Sequence, residues 1–165
     1  MQATQKEKAQ TYIRNFVFGV EDSLVSTVGL LSGIAFAGVA KETIILTGVI
    51  LIFVEALSMG VGSFLSQSSA DELRSALPSR YARSGGLVMF FSYFASGFIP
   101  LAPYLFASGF KPLIYSIGLS LAALFLLGFF SAKLGSGKAM HSALRMLLLG
   151  GLAVVVGAAV GALIG

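Results

Sequence analysis

The sequence predicts an all-α integral membrane protein: one transmembrane domain over residues 1–165, with five transmembrane helices, the N-terminus cytoplasmic and the C-terminus outside. Three observations lead there. Hydrophobic residues make up 56% of the chain and charged residues 11%, against roughly 25% charge in a soluble domain, and the mean hydropathy is +0.91. Five nearly uncharged runs reach the roughly 20 residues needed to cross ~30 Å of hydrocarbon. The connections between these runs alternate between basic-rich and basic-poor.

The first run, Val17 to Ala40, carries Glu21 and Asp22 near its start, and Thr11 to Phe16 is expected to continue that helix into the cytoplasm. The second, Thr43 to Ser66, carries Glu55. The third, Ser84 to Phe110, and the fourth, Pro112 to Ala132, hold no charge, and the fifth runs from Met146 to Gly165. Lys6, Lys8 and Arg14 precede the first run. Arg74, Arg80 and Arg83 follow the second, and Lys133, Lys138 and Arg145 follow the fourth. These regions hold nine of the eleven basic residues, leaving only Lys41 and Lys111 for the other side. Because basic loops stay in the cytoplasm, this bias sets the orientation. The first apolar run is too long for a cleavable leader and lacks a small-residue cleavage site, so none is expected.

The longest connection, Gln67–Arg83, contains Ser68-Ser69-Ala70-Asp71-Glu72-Leu73. Serines followed by acids resemble a helix N-terminus, with the acids in its first turn, so a short helical extension and no soluble domain is expected there. Two rows of small residues at intervals of four, Gly29-Gly33-Ala37 and Gly157-Gly161-Gly165, allow close helix approach. Such a row serves either packing within one protomer or a subunit interface. A symmetric dimer is expected, with the first-helix row as its contact face.

Composition removes several kinds of chemistry. With no cysteine, disulfides, thiolate metal sites and cysteine nucleophiles are excluded, and one histidine, His141, excludes a multi-histidine site. His141 falls in a basic connection and reads as solvated. A net charge of +4, scattered along the chain, does not describe a nucleic-acid surface. No phosphate-binding glycine loop or nucleophile elbow is present, so no enzyme is indicated. The lipid bilayer is the main partner, and no resident cofactor is expected.

Three acids lie within apolar runs, and an ionisable group at membrane depth is a candidate functional residue. Glu55 sits near the middle of its run, whereas Glu21 and Asp22 lie about one turn from an end and are able to snorkel. Met59 follows Glu55 by four residues and shares its helix face, ~6 Å along the axis. By counting residues from the cytoplasmic end, Asp22 and Met59 reach a similar depth. Carboxylate oxygen suits hard or borderline divalent ions, and thioether sulfur favours softer transition metals. In the third run, Pro100 and Pro103 are expected to bend the helix, as helices beside transport sites are often bent. The cluster Phe90, Phe91, Tyr93 and Phe94 reads as lipid-facing or core material.

Three motifs resemble a known family. Phe18-Gly19-Val20-Glu21-Asp22-Ser23-Leu24-Val25-Ser26-Thr27-Val28-Gly29 resembles the first-helix signature of the vacuolar iron transporter family, which reads like F-G-x-x-D-G-L-V-T-T-x-G. Ala56-Leu57-Ser58-Met59-Gly60-Val61-Gly62-Ser63-Phe64-Leu65-Ser66 is similar to its second-helix signature, A-L-S-M-A-x-G-E-Y-L-S. Ile99-Pro100-Leu101-Ala102-Pro103-Tyr104 is similar to its I-P-L-x-P-Y motif.

The resemblance implies a five-helix homodimer that moves Fe2+, often Mn2+ too, out of the cytosol in exchange for protons. It places the ion path between subunits, lined by the positions of Asp22 and Met59. Glu21 stands where asparagine is usual, Ser23 where glycine is, and Ser63 where glutamate is. Well-known members also carry a Glu-rich cytoplasmic metal-binding domain between the second and third helices, an interval occupied here by Gln67–Arg83. The metal set read from residues and resemblance together is Asp22, Glu55 and Met59, with Glu21 secondary. The competing reading is a non-transporting membrane subunit with a degenerate site. A minimal chain without targeting signals fits a prokaryotic cytoplasmic membrane best, with an organelle membrane left open.

Overall fold

The computed structural model describes residues 5–73, 80–107, 109–134 and 137–165. Five helices fill them: α1 (Gln5–Phe36), α2 (Lys41–Leu73), α3 (Arg80–Phe106), α4 (Lys111–Leu134) and α5 (Ala139–Ile164). All five are long and apolar enough to cross a membrane. A fold of this kind follows from the solvent, since in lipid each backbone N–H must find its acceptor within its own helix.

Several ends differ from the hydropathy reading. α1 stops at Phe36, not Ala40, because Gly38 adopts a left-handed φ of 71°. There the Val39 N–H reaches back to the Ile34 carbonyl and the Gly38 N–H to the Ala35 carbonyl, a Schellman closure that needs glycine at this position. α3 ends at Phe106 rather than Phe110, with Gly109 at φ 77° beyond it. α5 begins at Ala139, seven residues before Met146, so His141 and Arg145 belong to its first turns and not to a connection. His141 is nevertheless exposed.

The helical extension expected near Ser68 is present, but it continues α2 and does not begin with its own N-terminus. α2 runs unbroken to Leu73, which puts Asp71 and Glu72 in its last turn instead of a first turn. Carboxylates there face the negative end of the helix dipole. Asp71 is buried and accepts a long hydrogen bond of 3.4 Å from Gln67 Nε2, while Glu72 is exposed.

α1 is the hub and touches each of the other helices. α2 leans mainly on α3, and α4 on α5. α2 and α5 flank α1 without touching each other. One core cluster joins Leu31, Ile44, Ile52, Leu101 and Tyr104, and another joins Leu24, Leu124 and Met146.

The two small-residue rows meet inside one protomer. A Cβ added to Gly33 would lie 2.8 Å from the Gly157 carbonyl oxygen, and one on Gly29 would lie 3.2 Å from that of Ala153. Gly165 meets Ala37 one step further along. The row Gly29-Gly33-Ala37 thus packs against α5 within the protomer, the first of the two roles open to it, while also lining the groove between α1 and α5. The physical reason is mutual: both helices present glycine at the same spacing, so their backbones approach each other more closely than either could approach a surface with side chains.

Candidate metal path along α1

Glu21 and Asp22 occupy adjacent positions on α1 and are both half-buried. Being neighbours, they point about 100° apart around the helix, and the structure uses that divergence. Asp22 lines a groove of about 1060 Å³ between α1 and α5, with Val25, Ser26, Leu152 and Val156 among its walls. Glu21 lines this groove too, and also borders a second cavity of about 800 Å³ containing Arg14, Asn15, Ser58, Met59, Ser63 and Met89. Glu21 is therefore the carboxylate that borders both spaces.

Met59 shares a cavity with Glu21, not with Asp22. Glu55 is half-buried and borders neither space. It does lie within electrostatic reach of Asp22, and both carboxylates reach Tyr93. On the other flank, the charge of Arg145 on α5 reaches Glu21. Among the described residues, no three acidic or histidine side chains converge as a metal site within the protomer.

The acids stand on a braced frame. Tyr93 of α3 is fully buried, and its hydroxyl shares a 2.7 Å hydrogen bond with Ser26 Oγ, one turn above Asp22. Ser23 Oγ donates to the Tyr93 carbonyl at 2.7 Å. Ser23, one of the departures from the signature, thus ties α1 to α3 directly beside Asp22. Tyr93 is accordingly a positioning group, whereas its neighbour Phe91 is exposed. Phe90, Phe94 and Phe98 form a ladder on α3 that continues through Phe53 of α2.

Sequence reasoning passed over Tyr93, Ser26 and Met89. A usable signal existed for two of them: Met89 and Tyr93 are spaced by four and share one face of α3. The proline segment, in contrast, stands apart from the acids. Pro100 and Pro103 are buried within a continuous α3 and border neither space. Ser116 of α4 donates to the Pro100 carbonyl at 2.7 Å, the kind of side-chain support that lets a membrane helix carry proline.

Comparison with known proteins identifies the family. A model of the VIT family matches residues 13–84 and 78–162, two segments that overlap over residues 78–84. "Vacuolar iron transporter homolog 2" of Arabidopsis thaliana is 30% identical over 163 residues, covering 90% of this chain and 82% of that protein. "Vacuolar iron transporter homolog 3" of the same plant is 29% identical, covering 90% of this chain and 81% of its own length. With family motifs in order on α1, α2 and α3 and a match across nearly the whole chain, this protein belongs to the VIT family, whose members are transporters and not enzymes.

Proposed function

We propose that the protein carries divalent transition metal, Fe2+ or Mn2+, out of the cytosol in exchange for protons, working as a symmetric homodimer. The observation that carries this reading is the position of Glu21 on the border of two spaces, one with Met59 and one with Asp22. In the proposed path the metal enters through the Met59 cavity, passes Glu21 and reaches Asp22 in the α1–α5 groove. Glu55 lies beside it as a second carboxylate. Thioether sulfur selects transition metals over Ca2+ and Mg2+. Each carboxylate holds either a cation or a proton, which is the least that exchange requires.

The groove supports the dimer. In one protomer it leaves two acids facing a wide apolar opening, and ionisable groups at membrane depth need protein or water around them. A second copy across the groove supplies the missing wall and brings a second Asp22, which would complete the donor set that one protomer lacks. The basic residues at the α1 N-terminus and at the α2–α3 and α4–α5 connections support a cytoplasmic placement of that end, with the C-terminus outside. The host membrane we favour is a prokaryotic cytoplasmic membrane.

A second reading, a non-transporting subunit, draws on two facts. No metal cluster forms within the described protomer, and only six residues separate α2 from α3. Metal uptake into liposomes containing the purified protein, read together with a pH-sensitive dye, separates the readings. Fe2+- or Mn2+-dependent flux coupled to proton movement, lost in Asp22→Asn, supports the transporter. An inert wild-type protein that is folded and dimeric supports the subunit.

A further inference from the structure

Every acidic side chain of the sequence lies within its first 72 residues, so the last 93 residues contain basic side chains and no Asp or Glu. Three of these basic groups, Lys138, His141 and Arg145, are spaced three and four apart at the start of α5. They border one cavity of about 320 Å³ together with Ser131 and Ser142. Among the described residues, no acidic side chain borders that cavity. Lys138 and His141 are exposed, and Lys133 stands nearby over the Phe129 ring at 4.7 Å. Lys138 is the N-cap of α5, where its side chain offers no acceptor to the first-turn N–H groups. Positive charge thus accumulates where the bundle meets the headgroup layer, and the chain itself supplies little to neutralise it. Glu21 reaches Arg145 from the α1 side, but it does not border this cavity.

We propose that the α4–α5 junction binds a phosphate-bearing anion through Lys138, His141 and Arg145. A phosphate group carries the negative charge and the several acceptor oxygens that these donors and the two serine hydroxyls require. Two sources supply it: the headgroup of an anionic phospholipid, for which basic pockets between membrane helices are suited, or free phosphate. The site is distinct from the metal path and does not depend on the transport reading.

The test uses the purified full-length protein in detergent. It is delipidated and offered phosphatidylglycerol, phosphatidylcholine or inorganic phosphate, and the bound species are counted by native mass spectrometry. The probe variant is Lys138→Gln with His141→Gln, both on exposed positions, with Arg145 left in place because its charge reaches Glu21. Lys111→Gln, at the opposite end, is the control. Phosphatidylglycerol should be retained over phosphatidylcholine, and the double variant should hold it at least about fivefold more weakly, as expected for loss of one basic residue near a membrane surface. The control should match wild type. Retention of phosphatidylglycerol against millimolar inorganic phosphate assigns the site to lipid, and its displacement assigns the site to the free anion. Equal retention of the two lipids with no phosphate bound, or wild-type retention by the double variant, overturns the proposal.

Discussion

Gly161 of α5 faces the carbonyl oxygen of Gly33 on α1 so closely that a methyl group on Gly161 would overlap it. Gly157 stands in the same relation to the Gly29 carbonyl. In each case the obstacle is backbone, which cannot rotate away as a side chain could. Gly161→Ala and Gly157→Ala should therefore push the helices apart and destabilise the protein by roughly 1–3 kcal/mol each. Gly151→Ala has open space around it and should be neutral or stabilising by up to ~1 kcal/mol through helix propensity. Thermal unfolding in detergent checks the contrast. Equal effects at all three positions would remove the α1–α5 contact as the cause.

The same contact decides where subunits are able to meet. Because α5 covers the first-helix glycine row, cysteines at Gly29 or Gly33 should fail to crosslink between protomers. The exposed walls of the groove are better placed, so Leu152→Cys and Val156→Cys should each give crosslinked dimer in this otherwise cysteine-free chain. Non-reducing electrophoresis after mild oxidation reads the result. Crosslinks confined to the exposed Leu119 of α4 would place the interface on another face.

Glu21 and Met59 border one cavity, and if both meet the same ion their effects must be coupled. Met59→Leu keeps apolar volume and should cost the fold little while weakening transition-metal affinity. Glu21→Gln should also weaken it. The double variant should lose less than the sum, with a coupling on the order of 1 kcal/mol. Metal titration by calorimetry measures all four corners of the cycle. Strict additivity would separate the two residues functionally.

Glu55 lies beside Asp22 electrostatically without bordering either space. Glu55→Gln removes a like charge at membrane depth and should leave thermal stability equal or higher. As a second carboxylate of the path, it should still reduce transport. Normal flux from a destabilised variant would assign Glu55 to structure alone.

Asp71 is buried in the last turn of α2, whereas Glu72 is exposed. Asp71→Ala should destabilise the protein by roughly 1–3 kcal/mol through the groups left unsatisfied. Glu72→Ala should stay within about 0.5 kcal/mol of wild type. Neither should change metal selectivity, because both acids lie in the last turn of α2 and border neither space. Loss of transport from the double variant with stability intact would make this turn a metal site.

The sequence by itself determined the number of helices, their membrane character and the residues worth suspecting. Those properties are local. A run of twenty apolar residues must be helical in lipid wherever it later packs, and an acid within such a run stands out without any partner being known. The ordered signatures around Asp22, Met59 and Pro100 identified the family for the same reason, since each is contiguous along the chain.

Helix ends were less legible, because hydropathy records where lipid would begin and not where hydrogen bonding stops. Gly38 closes α1 by its backbone conformation, and α5 starts seven residues before its apolar stretch. Ser68–Leu73 shows a related failure: residues suited to starting a helix instead prolong one already formed, because helix growth adds a hydrogen bond per residue while a new start must be nucleated.

Only the tertiary structure decided which residues meet. The two glycine rows looked alike in sequence, but whether they faced one another or a second subunit depended on the order of packing around α1. Glu21 and Asp22 are neighbours in sequence, and the rotation between adjacent helical positions lets Glu21 border the Met59 cavity as well as the α5 groove, while Asp22 borders the groove and not that cavity. Tyr93 became a brace because α3 lies against the Ser23–Ser26 turn. Pairings of this kind are set by the angles at which helices cross and rotate, and no single span encodes them.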